Sequence, residues 1–352
     1  RSADVAGGAA PRGEADRFVA LGDSLTEGLG DPLPRPPRRE GGGPFRGERD
    51  GQRRWRGFAP LLAAGLPAPG GAVRLVNLAR SGARSADVAG AQLAAARTHR
   101  PHVASVIVGG NDTLRSPFDI ARTARDLDAV MATLTAEGAV VLTACLPDPG
   151  RMLRLPRAVT APLARRMRAL NDVVHHLSWR HGAVHAHLAD HPCVADRAAW
   201  SVDRLHPSEA GHRLLAREFH AGLAARGLAA GAPPSAVPDQ PPPRASASAW
   251  WLATRGTRWV AARSTDLLPG LLRLAAAETR HRVAGTRETL ERASRDATRA
   301  ALRATAPPAV APPAVHPAAV HPPPVHPAGE ARRGEVPTPR PEEREKALGR
   351  LD

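Results

Sequence analysis

The stretch Arg17-Phe18-Val19-Ala20-Leu21-Gly22-Asp23-Ser24-Leu25-Thr26-Glu27-Gly28 sets the reading of the whole chain. Its first half is an apolar run of strand length that stops at a glycine, and its second half is mostly polar and turn-forming. Runs of the same kind recur at 73–78, 103–109, 139–145 and 183–188, most of them rich in β-branched residues. Between them, apolar residues step with the helical period. Ile120, Ala124, Leu127, Met131 and Leu134 form one such segment, and Leu163, Met167, Leu170, Val174 and Leu177 another. Residues 55–66 and 85–97 read as shorter helices, and Pro207-Ser208 opens one that reaches about residue 226. Strand alternating with helix predicts parallel strands joined by crossover helices, hence an α/β domain of three layers.

Outward from this domain, at 17–230, the pattern weakens. Residues 1–16 read as a flexible N-terminus. Residues 31–54, rich in Pro, Gly and Arg, read as a mobile surface insertion. The alternation stops near 229, and 231–248 reads as a linker. Helical character returns over 249–304, where Leu267, Leu271 and Leu274 make an apolar stripe, Pro269-Gly270 marks a helix start, and Trp250, Trp251 and Trp259 precede it. Residues 305–352 are Pro/Ala-rich, with Val-His-Pro at 315–317, 320–322 and 325–327. Such a segment cannot bury enough apolar surface to offset its ordering entropy, so a disordered tail is expected.

Four short blocks carry candidate chemistry. Ser24 follows the first strand, where open α/β sheets place ligands. Taken alone, a serine there is more often a helix cap than a nucleophile. Asp203-Arg204-Leu205-His206 near the far end supplies a base for a serine hydroxyl and a carboxylate to hold the base's other ring nitrogen. Gly82 and Asn111 follow the second and third strands, on the same sheet edge as Ser24. With the Ser24 N–H they offer three donors to an oxyanion.

Together, Gly22-Asp23-Ser24-Leu25, Gly82, Gly109-Gly110-Asn111-Asp112 and Asp203-Arg204-Leu205-His206 resemble the four blocks of the SGNH/GDSL hydrolase family, in the family's order, over about 17–228. The resemblance implies a flavodoxin-like α/β/α sandwich with a five-stranded parallel sheet. It also implies hydrolysis of esters, thioesters or acetylated sugars without a metal or cofactor. Ser24, Asp203 and His206 are then the expected catalytic residues, and Ser24, Gly82 and Asn111 the expected oxyanion hole. Asp23 is expected only to order its turn, and Asp112 only to orient Asn111 or the turn.

Composition limits the alternatives. Two cysteines, Cys145 and Cys193, provide neither a disulfide framework nor a Cys-rich zinc site. Among His175, His176, His181, His185, His187 and His191, only His185 and His187 share a strand face. No His-Glu-x-x-His pattern or carboxylate pair joins them, so surface or helix-face histidines are expected and no metal. No run of eighteen apolar residues occurs, so no membrane-spanning helix is expected. No signal-peptide pattern follows Arg1, and a cytoplasmic location is the expectation. The net charge of +15 points toward polyanions. Zinc-finger spacing is absent and aromatics make up only 3%, so the expected partner is a small ester and not a specific nucleic acid. Arg255, Arg258, Arg263 and Arg273 beside the Trp and Leu residues leave two surfaces open for 249–304: a membrane interface, or packing against the α/β domain or a second copy. A serine hydrolase with such an extension is one reading. The other is a non-catalytic α/β module that docks on a membrane or polyanion through it. The complete set of Ser24, Gly82, Asn111 and His206 favours the first, since docking alone does not require them.

Overall fold

The computed structural model describes residues 16–33, 55–66, 71–150, 156–244, 246–247, 250, 254 and 268–305. Its strands are β1 (Arg17–Gly22), β2 (Arg74–Asn77), β3 (Val103–Ile107), β4 (Val140–Cys145) and β5 (Val184–His187). They form one parallel sheet in the order β2-β1-β3-β4-β5. The order reverses beside β1, so the loops after β1 and β3 flank the crevice at the C-terminal edge of the sheet. These are the strands and the sandwich that the sequence predicts.

Alternation along each strand feeds two cores. Phe18 and Ala20 of β1, Leu142 and Ala144 of β4 and Val184 and Ala186 of β5 face one way. They meet Phe58 of α2 (Phe58–Ala63) and Phe219 of α8 (Glu209–Ala224), whose rings lie 5.6 Å apart. Val19 and Leu21 of β1, Val106 of β3 and Val141 of β4 face the other way. They pack on Leu127 and Leu134 of α6 (Ile120–Ala136) and on Leu170 and Leu177 of α7 (Arg157–Arg180). Each such side chain taken from water is worth about 1.5–3 kcal/mol. Asp119 caps α6 through the Arg122 N–H at 3.0 Å, and Ser208 caps α8, which fixes where both helices begin. Between β1 and α2 lies the single turn α1 (Ser24–Glu27), between β2 and β3 lie α3 (Ser85–Asp87) and α4 (Leu93–Thr98), and after β3 comes α5 (Gly110–Leu114).

Beyond α8 the chain returns to the domain twice. Within 231–248, expected as a linker, residues 234–240 run along α8. Asp239 receives Arg213 and Arg56 at 2.7 Å each, and Glu209 accepts the N–H groups of Asp239 and Gln240 at 2.6 and 3.0 Å. Helical periodicity carries no trace of these charge pairs. Next, α9 (Leu268–Val283) lies on α7, and α10 (Arg287–Thr305) lies on α6 and α7 with Ala301 buried in the core. Arg165 of α7 binds Glu278 of α9 at 2.6 Å and Glu291 of α10 at 3.0 Å. Of the two surfaces expected for this segment, its helices cover their own domain. Leu271 and Leu274 are half-buried there, while Leu272 stays 60% exposed. Among the described residues no helix is long and apolar enough to cross a membrane. Leu267, Trp251, Trp259, Arg255, Arg258, Arg263, residues 34–54 of the insertion, residues 1–15 and the whole tail from 306 lie outside the described residues.

Candidate active site

Ser24 opens α1, immediately after β1. Asp23 caps that turn, its Oδ1 accepting the Leu25 N–H at 3.1 Å. The turn is tight because Gly22 has φ +153°. A Cβ there would stand 2.3 Å from the Ile107 carbonyl oxygen, so no other residue fits between β1 and β3. A π-helical turn at Val88–Gln92, between α3 and α4, aims the buried Gln92 amide at Gly22, accepting its N–H at 2.8 Å and donating to its carbonyl at 2.9 Å. Nothing in the sequence around Gln92 announces this role.

His206 arrives from the other end of the chain. Residues 200–207 form a narrow hairpin, closed by the Trp200–Pro207 bridge and by the Ser201 N–H donating to the His206 carbonyl at 2.9 Å. Arg204 at φ +57° turns the tip. Asp203 is held inside it: Oδ1 accepts from Ser201 Oγ at 2.6 Å, Leu205 N at 2.9 Å and His206 N at 3.0 Å. Its Oδ2 is 2.7 Å from His206 Nδ1, and His206 Nε2 is 2.8 Å from Ser24 Oγ. The three side chains singled out from the sequence therefore form one hydrogen-bonded line. Below it, Gly30 at φ +99° brings the chain so close to the Pro207 carbonyl that a Cβ would stand 1.9 Å from that oxygen. The buried His212 meets the Leu29 carbonyl at 2.9 Å.

The charges in this line are unequal. Burial pushes Asp203 up, but the hydrogen bond and charge of His206, with the donors of the hairpin, outweigh it and hold the carboxyl well below the usual carboxylate range. At Asp23 burial wins over the Leu25 N–H and His206, and the carboxyl is pushed up to about 6.

Gly82 and Asn111 reach the same crevice. Glu27 of α1 accepts Ser81 N at 2.7 Å and Ser81 Oγ at 2.5 Å, which fixes the loop carrying Gly82. The backbone N–H groups of Ser24 and Gly82 have no hydrogen-bond partner among the described residues. Asn111 Nδ2 donates to the Ala83 carbonyl at 3.0 Å and, at a longer 3.3 Å, to Asp23 Oδ2. Asp112 accepts Ser85 N and Ser85 Oγ, joining the loops after β2 and β3. Ser24, Gly82, Asn111 and His206 all line a cleft of about 230 Å³, whose apolar wall includes Leu114, Leu146, Met167, Leu188 and Trp200. Such a cleft admits an acyl chain beside a nucleophile.

His185 and His187 do share one face of β5, and His175 of α7 and Cys145 of β4 meet them there. The two cysteines are both free thiols.

Residues 20–214 match the model of the GDSL-like Lipase/Acylhydrolase family. Comparison with curated proteins gives no match. Among solved structures, the chain is similar to an acetylxylan esterase from Geobacillus stearothermophilus, at 20% identity and a TM-score of 0.45, over 62% of this chain and 99% of that one. It is similar also to the lipase/acylhydrolase from Enterococcus faecalis, at 18% identity and a TM-score of 0.44, over 62% and 98%. An α/β hydrolase from the metagenome of Lake Arreo, Spain, is similar at 23% identity and a TM-score of 0.43, over 60% and 96%.

Proposed function

The chain belongs to the GDSL-like lipase/acylhydrolase family and is a carboxylic ester hydrolase, and from that premise we propose that it works through an acyl-enzyme formed on Ser24. The observation that carries this reading is the line Ser24 Oγ–His206 Nε2–Asp203 at 2.8 and 2.7 Å, standing at the mouth of an apolar cleft. As Ser24 Oγ attacks the ester carbonyl, His206 Nε2 takes its proton. The Asp203 carboxylate, already held ionised, stabilises the imidazolium through Nδ1–H. The carbonyl oxygen becomes an oxyanion before the N–H groups of Ser24 and Gly82 and the Asn111 amide. The long bond from Asn111 to Asp23 is the one that yields to it. Losing one such donor costs about 2.7–4 kcal/mol of barrier. His206 then gives its proton to the leaving alcohol. Water then attacks the acyl carbon as His206 Nε2 takes its proton, and that proton passes to Ser24 Oγ as the C–Oγ bond breaks and the acid leaves.

The substrate is an uncharged acyl ester whose chain lies along Leu146, Met167 and Leu188. The test is a panel of chromogenic esters of increasing acyl length, assayed on wild type and on Ser24→Ala. The expected loss of kcat in Ser24→Ala is roughly 10⁴–10⁶-fold with the fold intact, and a serine-directed phosphonate should label Ser24 alone. Wild-type kcat in Ser24→Ala would refute the mechanism.

A further inference from the structure

At the exits of β4 and β5, four donor side chains converge. The β4–β5 register sets Thr143 beside His185 and Cys145 beside His187. Alternation puts all four on the sheet face covered by α7, and α7 contributes His175. One donor atom from each of Cys145, His175, His185 and His187 lies within 4.8 Å of the others. The three imidazole centroids are 4.6, 5.2 and 4.7 Å apart. Thr143 Oγ1 meets His185 Nδ1 at 2.9 Å, with Ser178 Oγ at 3.3 Å, so the ring is oriented from behind. The Nε2 atoms of His185 and His175 are buried without a hydrogen-bond partner. Buried nitrogens in that condition are costly and ask for a ligand.

We propose that Cys145, His175, His185 and His187 form a tetrahedral structural zinc site. Zinc–sulfur and zinc–nitrogen bond lengths require donor atoms roughly 3.4–3.6 Å apart, and rotation of exposed His187 and half-buried His175 closes the remaining gap. One thiolate and three imidazoles suit zinc and not magnesium or calcium. Four protein ligands fill the tetrahedron and leave no position for water, so the role is structural. As the Zn–S bond forms, the Cys145 thiol releases its proton to solvent, and each imidazole donates a ring lone pair to the metal. The Thr143 hydroxyl behind His185 is the kind of outer partner that fixes a ligand ring. The metal would join the exits of β4 and β5, whose next residues, Leu146 and Leu188, are both cleft wall.

The test titrates the metal-free full chain with Co²⁺ and then Zn²⁺. One equivalent of cobalt should bind with tetrahedral d–d absorption and a thiolate charge-transfer band, both lost on adding one equivalent of zinc. Zinc should also raise the Tm of the wild type. Cys145→Ser should lose the charge-transfer band. His187→Ala, which removes an exposed ring and leaves the core untouched, should weaken zinc at least tenfold. If Cys145→Ser fails to fold, His187→Ala decides alone. The triple variant His316→Ala, His321→Ala, His326→Ala should behave as wild type, because the Val-His-Pro repeats are not the site. Cobalt that binds without a thiolate band, zinc binding undiminished in His187→Ala, or binding lost only in the triple variant would each overturn the proposal.

Discussion

At His206 the two ring nitrogens meet a carboxylate and a hydroxyl, Asp203 and Ser24. At His185 they meet hydroxyls on one side and other imidazoles on the other. Both rings stand near the same edge of one sheet. A carboxylate partner favours a ring that accepts a proton during reaction, whereas hydroxyl partners with imidazole neighbours favour a ring that stays neutral. The same residue type thus suits proton transfer in one place and lone-pair donation in the other. What separates the two is a single acidic side chain delivered by a hairpin.

The strongest way to break this contrast is Asp203→Asn. The amide presents an N–H to His206 Nδ1 and favours the wrong tautomer, so kcat should fall about 10⁴-fold in a soluble-ester assay. The cobalt spectrum of the same variant should be unchanged. A kcat within tenfold of wild type would remove the distinction between the two rings.

A smaller effect sharpens it through a second carboxylate. Asp23 and Asp203 are both buried, but Asp203 is pulled down and Asp23 is pushed up to about 6 from 3.8. The folded chain therefore keeps the Asp23 proton to higher pH than the unfolded chain does. Its contribution to stability is neutral below about pH 4, becomes unfavourable as pH climbs to about 6, and stays so above, by about 3 kcal/mol. Asp23→Asn keeps an acceptor for the Leu25 N–H and removes the titration. Its urea unfolding should gain on wild type between about pH 4 and pH 7, and a constant difference across that window would contradict the assignment.

The smallest effect tests the other ring. Thr143→Val removes the hydroxyl behind His185, so zinc affinity should fall about 10–100-fold by chelator competition while kcat/KM holds. Equal zinc affinity in both proteins would mean that Thr143 does not orient His185.

The sheet was legible because each strand is an apolar run bounded by glycine or polar residues, and burial imposes that pattern directly. Ser24, Gly82, Asn111, Asp203 and His206 were legible as neighbours because parallel strands deliver their C-terminal loops to one edge. Gln92, Glu27 and Ser201 were not, since their partners are set by a π-helical turn and by loop closure. Nor was the meeting of Cys145 and His175, which depends on how α7 crosses the β4–β5 register. Nor was the way residues 239–240 are held, since the side chains that bind them, Glu209, Arg213 and Arg56, belong to other segments.

One closure has a use for protein engineering. Pro32 bridges Trp55 in antiparallel fashion, Arg56 pairs with the buried Asp31 at 2.9 Å, and Gln240 donates to the Pro32 carbonyl at 3.0 Å. These contacts clasp residues 31–33 to residues 55–56. Each doubling of a loop adds only about 0.6 kcal/mol to its closure, so a base clasped in this way is insensitive to the length of chain joining its two sides. A shortened tether or a grafted binding module placed there would inherit a fixed base, a short walk from Ser24.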